Sequence, residues 1–196
     1  MTVRSRRAKA LSVEDRQAML IDAVTPLLLE YGQAVTTRQI ADRAGIAEGT
    51  IFRAFGSKDE LIRAAVARQF DPEPFRSQLR AVDPLVPLEE RLREIVALMR
   101  GRFTTVFALM SALGTHELPP RDDSRRDFVE ILGRVLAPDL QRFSVSAERT
   151  AQIIRMVALA ASVPHVRNGP EFDDREITTL ILYGIMGTPV QPNATP

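Results

Sequence analysis

Residues 37 to 55, TRQIADRAGIAEGTIFRAF, carry the side chains in this chain best suited to reading a polyanion. Arg38 can present a flat guanidinium fork to the major-groove edge of guanine. Thr37 and Thr50 can donate hydroxyls to phosphate, Gly49 permits close backbone approach, and Lys58 can clamp a further phosphate. Phe52 and Arg53 fall on the same outward side. Each has a plainer alternative, with Arg38 and Arg53 as solvated surface charges and Phe52 as core. Glu48 can accept from a cytosine amino group or sit at the positive end of a helix, and the second use is favoured.

Such chemistry needs two short helices crossing at a tight turn, and the spacing supplies them. Ala41 is small enough for the crossing point, and Gly45 can take the positive φ that a short interhelical turn requires. Ile40, Ala44, Ile46, Ile51 and Ala54 then face inward, which leaves Thr37, Arg38, Glu48, Gly49, Thr50, Phe52 and Arg53 on or near the outer face.

Elsewhere apolar residues recur at three and four, never in the alternation of a strand, so the fold class expected is all-α with about nine helices. The first helix is predicted to start after Ser12 and end at Tyr31, stopped by Gly32, with Ala18, Ile21, Ala23, Val24, Leu27 and Leu28 as its buried stripe. Pro26 conflicts with this and predicts a kink or a break near Thr25. Three more helices fit into residues 36 to 70, with capping-box spacings at Thr36/Gln39 and Ser57/Glu60.

Asp71, Pro72, Glu73 and Pro74 predict a linker and hence two domains, 1–70 and 71–196. Later helical patterns cover Leu88 to Arg100, Gly101 to Leu113, Ser124 to Leu136, Ser146 to His165 and Asp173 to Gly187. Pro119, Pro120, Pro138, Asn168, Gly169 and Pro170 punctuate them.

Composition narrows the functional classes. Cysteine is absent, which excludes thiol nucleophiles, disulfides and thiolate-ligated zinc. His116 and His165 stand alone, no GxSxG, HExxH, GxGxxG or P-loop spacing occurs, and Asp122 and Asp123 read as helix-start acids. No enzyme, metal or cofactor is expected. With neither a signal-peptide pattern nor an uninterrupted apolar run of spanning length, the expected location is the cytoplasm. Residues 1 to 70 hold 11 Lys+Arg against 8 Asp+Glu, and the remainder 15 against 17. Arg4, Arg6, Arg7 and Lys9 form an N-terminal run that either approaches DNA or is simply solvated.

Residues 36 to 66, TTRQIADRAGIAEGTIFRAFGSKDELIRAAV, resemble the tetracycline-repressor (TetR/AcrR) family of bacterial regulators. The resemblance rests on the paired Thr36 and Thr37, the IADRAG block, Gly49 with Thr50, Phe55, and Ser57 with Lys58. It implies a ligand-responsive regulator, a repressor released from a palindromic operator by a small, largely apolar effector. It further implies phosphate contacts at Thr37, Thr50, Phe52 and Lys58, and base readout by Arg38, Glu48, Gly49 and Arg53. Three departures weaken the implied grip on the backbone: Ala47 in place of a capping Ser, Phe52 in place of Tyr, and Ala54 in place of His. An activator or a co-repressor-dependent regulator of the same fold is the alternative, and a protein-interaction module without DNA binding is the alternative from another class.

In the resembling family the C-terminal domain binds the effector and pairs two subunits through its last two long helices. Here AERTAQIIRMVALAASV crowds small residues on one side, and Ile177 to Gly187 is apolar around most of its circumference. A domain core explains this equally well from residues alone. The resemblance favours a homodimer, with Ile153, Ile154, Val157, Ala158, Ala161, Ile177, Leu180, Ile181 and Gly184 at the interface. Met99, Phe103, Phe107, Met110, Phe128, Leu132 and Met156 can line an apolar pocket or serve as core, and His116 can sit at its mouth or on the surface.

Overall fold

The computed structural model describes residues 12–114, 124–163 and 169–184 of the 196-residue chain. Among the described residues nine α-helices and two 3-10 turns appear, and no strand. The chain divides into two compact units, one of residues 1–71 with 108–117 and the other of residues 72–107 with 118–196. The break at 71/72 falls beside the predicted linker. Residues 108–117, which the sequence reading placed in the second domain, belong to the first unit because Leu109 is buried in its core.

In the first unit α1 (Val13–Tyr31) packs against α2 (Thr37–Ala44), α3 (Gly49–Phe55) and α4 (Lys58–Phe70). Ser12 caps α1 by accepting from the Asp15 N–H at 3.0 Å, and Gly32 ends it at φ +56°. The buried stripe is Leu20, Ala23, Val24, Leu27 and Leu28. Ala23, Val24, Leu27 and Leu28 lie inward as expected, while Ala18 is exposed, Ile21 is half-buried and Leu20 takes the remaining inward place. Pro26 does not break the helix, which runs continuously through it. The Thr25 hydroxyl donates to the Ile21 carbonyl at 2.8 Å one turn back, a side-chain bond made just where the ladder loses an N–H donor.

Gly32 is fixed for two reasons. Its positive φ disfavours any L side chain, and a Cβ there would clash with the Ala112 carbonyl oxygen. Beside it the Gln33 side-chain amide donates to the Leu113 carbonyl at 2.7 Å. A 3-10 turn over Gly32–Ala34 then leads to α2.

The second unit begins with α5 (Glu73–Ala81), where only a linker was expected. Pro74 lies in its first turn, where the missing N–H costs nothing, so the second proline starts a helix instead of preventing one. Helix α6 (Leu88–Leu113) is unbroken across Gly101, where two helices were predicted; its last residues, from Ala108, count with the first unit. It is long and apolar enough by composition to cross a membrane, with an 18-residue window of mean hydropathy 1.3. Leu92, Ile95 and Met99 on it are instead buried with Leu79, Ile131, Leu132, Val135, Ala151, Ile154 and Ala158 in one core.

Helix α7 (Ser124–Val135), a 3-10 turn (Ala137–Arg142), α8 (Ala147–Ser162) and α9 (Asp174–Tyr183) complete the unit, with α7 against α5 and α8, and α8 against α9. The predicted ends at His165 and Gly187 lie outside the described residues. A reciprocal capping box between Asp173 and Glu176 opens α9 as expected. Arg91 is fully buried and ties the loop before α6 to the 3-10 turn, donating to the Pro84 carbonyl and to Asp139. Its Nε has no partner among the described residues.

Candidate nucleic-acid interface

Eight residues make α2 and seven make α3, lengths that are not self-supporting in water. Burial and capping hold them. Thr36 opens α2 with a full capping box: its hydroxyl accepts from the Gln39 N–H at 3.2 Å while the Gln39 side chain accepts from the Thr36 N–H at 2.8 Å. Gly45 closes α2 in the left-handed conformation at φ +67°, ψ +34°. The Ile46 N–H donates to the Ala41 carbonyl at 3.1 Å, so the chain reverses within a few residues. Ala41 is buried, as the crossing requires, and so are Ile40 and Ile51, while Ala44, Ile46 and Ala54 are half-buried.

Helix α3 has no side-chain cap. Glu48 at its cap position is itself in helical conformation, and the Thr50 N–H donates to the Ala47 carbonyl at 2.8 Å, so the absent capping Ser at position 47 is replaced by a tight backbone turn. At its far end the Gln17 side-chain amide donates to the Ala54 carbonyl at 2.9 Å, and the Gly56 N–H donates to the Phe52 carbonyl at 2.9 Å. Gln17 escaped the sequence reading because a polar residue on α1, 37 positions away, gives no local signal of such a bond.

With that frame set, the outer face consists of Arg38, Glu48, Gly49, Phe52 and Arg53, all exposed, with Thr37, Thr50 and Lys58 half-buried beside them. Phe52 at 48% exposure is not a core residue. Gly49 has open space where a Cβ would stand and needs no positive φ, so nothing in the fold demands glycine there. A helix-weakening residue kept without a packing reason favours close approach by something else.

Two expected phosphate contacts have protein partners. The Thr37 hydroxyl donates to Glu48, which fixes that carboxylate over the start of α3, in line with the helix-dipole reading. The Lys58 ammonium donates to the carbonyls of Val35 at 3.1 Å and Gln33 at 3.4 Å, which leaves one N–H and its positive charge for a further partner. Arg38 and Arg53 have no ion-pair partner among the described residues. The basic run Arg4, Arg6, Arg7 and Lys9 lies outside them.

Of the residues expected to line an effector pocket, Met99, Phe103, Phe128 and Leu132 meet in the core of the second unit. Met99 and Leu132 are fully buried core, Phe103 and Phe128 pack against that core, and Phe107 is half-buried. Met110 belongs to the first unit, Met156 is 58% exposed, and His116 lies outside the described residues. Dense packing wins here because flexible Met and flat Phe fill gaps as readily as they line them.

The expected dimer face divides as well. Ile154, Ala158 and Ile177 are buried, Ile154 and Ala158 in the core of the second unit. Ile153, Val157, Ala161 and Ile181 are half-buried, and Leu180 and Gly184 are exposed. Phe172, Met156 and Tyr183 are exposed as well and were absent from the expected set.

Two short helices crossing at a left-handed glycine, the second presenting its outer face to solvent, define a helix-turn-helix domain. Residues 20–65 match the family model for bacterial regulatory proteins of the tetR family. Over these residues the chain is similar to that family. The HTH-type transcriptional repressor KstR of Rhodococcus jostii is 39% identical over 59 residues, 30% of this chain and 28% of that protein. Its namesake from Mycobacterium tuberculosis is 33% identical over 76 residues, 38% of this chain and 34% of that protein. The chain thus spans roughly a third of the length of the curated relatives it matches.

Likeness in fold extends further. The TetR transcriptional regulator SCO0520 from Streptomyces coelicolor superposes on 85% of this chain and 95% of its own at a TM-score of 0.54 and 20% identity. FadR from Bacillus subtilis, solved in complex with stearoyl-CoA, covers 86% of this chain and 98% of its own at 0.51 and 18% identity. The helices of the second unit therefore follow the arrangement of TetR-family regulators.

Proposed function

We propose that this protein is a ligand-responsive transcriptional repressor that binds a palindromic operator as a homodimer and leaves it when a small effector binds. Its first unit, residues 1–70 with the end of α6, reads DNA, and residues 71–196 otherwise supply effector binding and dimerisation. It acts in the cytoplasm and has no catalytic role. The observation that carries this reading is the outer face of α3: Gly49, Phe52 and Arg53 exposed, with Arg38 beside them, over a crossing locked by Gly45.

Within that face Arg38 reads a base, Arg53 and Gly49 stand at the groove, Thr50 and the remaining N–H of Lys58 meet phosphate, and Phe52 covers sugar. Glu48 and Thr37 hold one another. The dimer face is the exposed remainder of the expected set, Leu180 and Gly184 with the half-buried Ile153, Val157, Ala161 and Ile181, joined by Met156, Phe172 and Tyr183. Support for repression comes from the relatives named as repressors over the matched residues. Support for an effector comes from the fold shared with FadR, which was solved with stearoyl-CoA.

Fluorescence anisotropy against duplex DNA flanking its own gene tests the reading. Binding should weaken steeply with salt, and Arg38→Ala should lose about 1–3 kcal/mol on the preferred site relative to random DNA. Equal loss on both DNAs would make Arg38 a phosphate contact. Absence of salt-dependent binding to any duplex would overturn the reading in favour of a protein-interaction module. Sedimentation at micromolar concentration should give the mass of two chains.

A further inference from the structure

The second unit holds a recess of about 490 Å³ that none of the expected pocket residues lines. Its walls are the start of α6 (Pro87, Leu88, Glu89), the segment Arg142–Val145 ahead of α8, Thr150 and Ile153 on α8, and the end of α9 (Ile181–Tyr183). Its size falls within the roughly 300–1,000 Å³ typical of small-molecule sites. Size alone carries little, since many surfaces are indented.

A second observation points to an occupant. Thr150 is 3% exposed, and its hydroxyl has no hydrogen-bond partner among the described residues. An unpaired buried hydroxyl costs free energy that a valine of the same shape would avoid, so its persistence needs a reason. The usual outlet for a helical threonine is its own i−4 carbonyl, as Thr25, Thr105 and Thr178 do in this chain at 2.8, 3.0 and 2.6 Å. Thr150 does not take it, and it lines the recess.

The other walls indicate what would fit. Leu88, Val145, Ile153, Ile181 and Leu182 offer an apolar surface. Arg142 gives one N–H to Asp139 at 2.7 Å and keeps other donors for a ligand oxygen, while Glu89 on the α6 side disfavours a doubly charged anion. We propose that this recess is a binding site for a small amphipathic carbonyl compound. The Thr150 hydroxyl donates to its oxygen, and its hydrocarbon part lies along Leu88, Val145 and Leu182. The site rests on the regulator reading only in being called an effector site; as a binding site it stands on its own.

Titration calorimetry of the full chain with decanoate and with 2-decanone tests it, the first a carboxylate and the second a neutral ketone. Thr150→Val should weaken both by about three- to tenfold, the worth of one hydrogen bond, while raising Tm by about 2 °C through loss of the unpaired hydroxyl. Arg142→Ala should weaken decanoate alone if an anionic head is what the site selects, and neither if it selects a neutral carbonyl. Val145→Trp, which fills the recess from the segment ahead of α8, should abolish binding of both with Tm and duplex binding retained. Failure of both probes to bind, or binding indifferent to Thr150→Val and Val145→Trp, overturns the site. Loss of salt-dependent DNA binding with probe binding intact would overturn only the regulator reading.

Discussion

The helix pair α2–α3 and the helices α6–α8 each carry apolar and polar residues at helical spacing, yet they use them in opposite ways. On α3 a large apolar residue, Phe52, is left in solvent beside Arg53, while the one fully buried side chain is Ile51, with Ala54 and Phe55 half-buried against the same core. On α6 and α7, Met99, Phe103 and Phe128 turn inward to the core. A short helix with one buried anchor is free to present the rest of its circumference. A long helix in the middle of a unit is not, and whatever recess the second unit keeps has formed at its edge.

The comparison can be broken most strongly at Gly32, the point where the first unit depends on a contact from far along the chain. Gly32→Ala combines a positive φ with a Cβ inside contact distance of the Ala112 carbonyl. It should cost about 3 kcal/mol or more in chemical denaturation. A loss below about 1 kcal/mol, the cost of φ alone, would mean that the end of α6 does not rest there.

A smaller effect of opposite sign is expected on α3. Gly49→Ala should stabilise the fold by less than about 1 kcal/mol, since the space is open and alanine is the better helix former. It should weaken operator binding by several-fold in the same anisotropy assay, because the added methyl meets the duplex. Tighter binding or no change would remove the functional argument for glycine.

The smallest effect is on the acid side. Asp139 is held below the ordinary carboxylate range by hydrogen bonds from Arg142 and Arg91, and Glu73 by one from Arg80. Both belong to the second unit. Depressed carboxylates contribute stability that is fully present above their ordinary values of 3.8 and 4.5 and is lost as pH falls through the lowered ones. Wild type should therefore melt higher than a Glu73→Gln, Asp139→Asn double variant at pH 7, with the gap closing as pH drops below 4.5. A gap of undiminished size at a pH low enough to protonate both carboxylates would show that packing, not charge, separates the two.

The amino-acid sequence by itself determined the helical class, the caps at Ser12, Thr36 and Asp173, the left-handed turn at Gly45 and the outward face of the helix-turn-helix. Each of these depends on neighbours within about four residues, where side-chain spacing and backbone preference act directly. Only the tertiary structure decided that Leu20 and not Ala18 faces inward on α1, that α6 runs unbroken past Gly101, and that Gly32 must clear a carbonyl 80 residues away. It also decided that Ile154 and Ile177 are core, and that Thr150 is left with an unpaired hydroxyl at a recess. Periodicity says that a helix has an apolar side; which neighbour covers that side, and how completely, is set by contacts that sequence spacing does not encode.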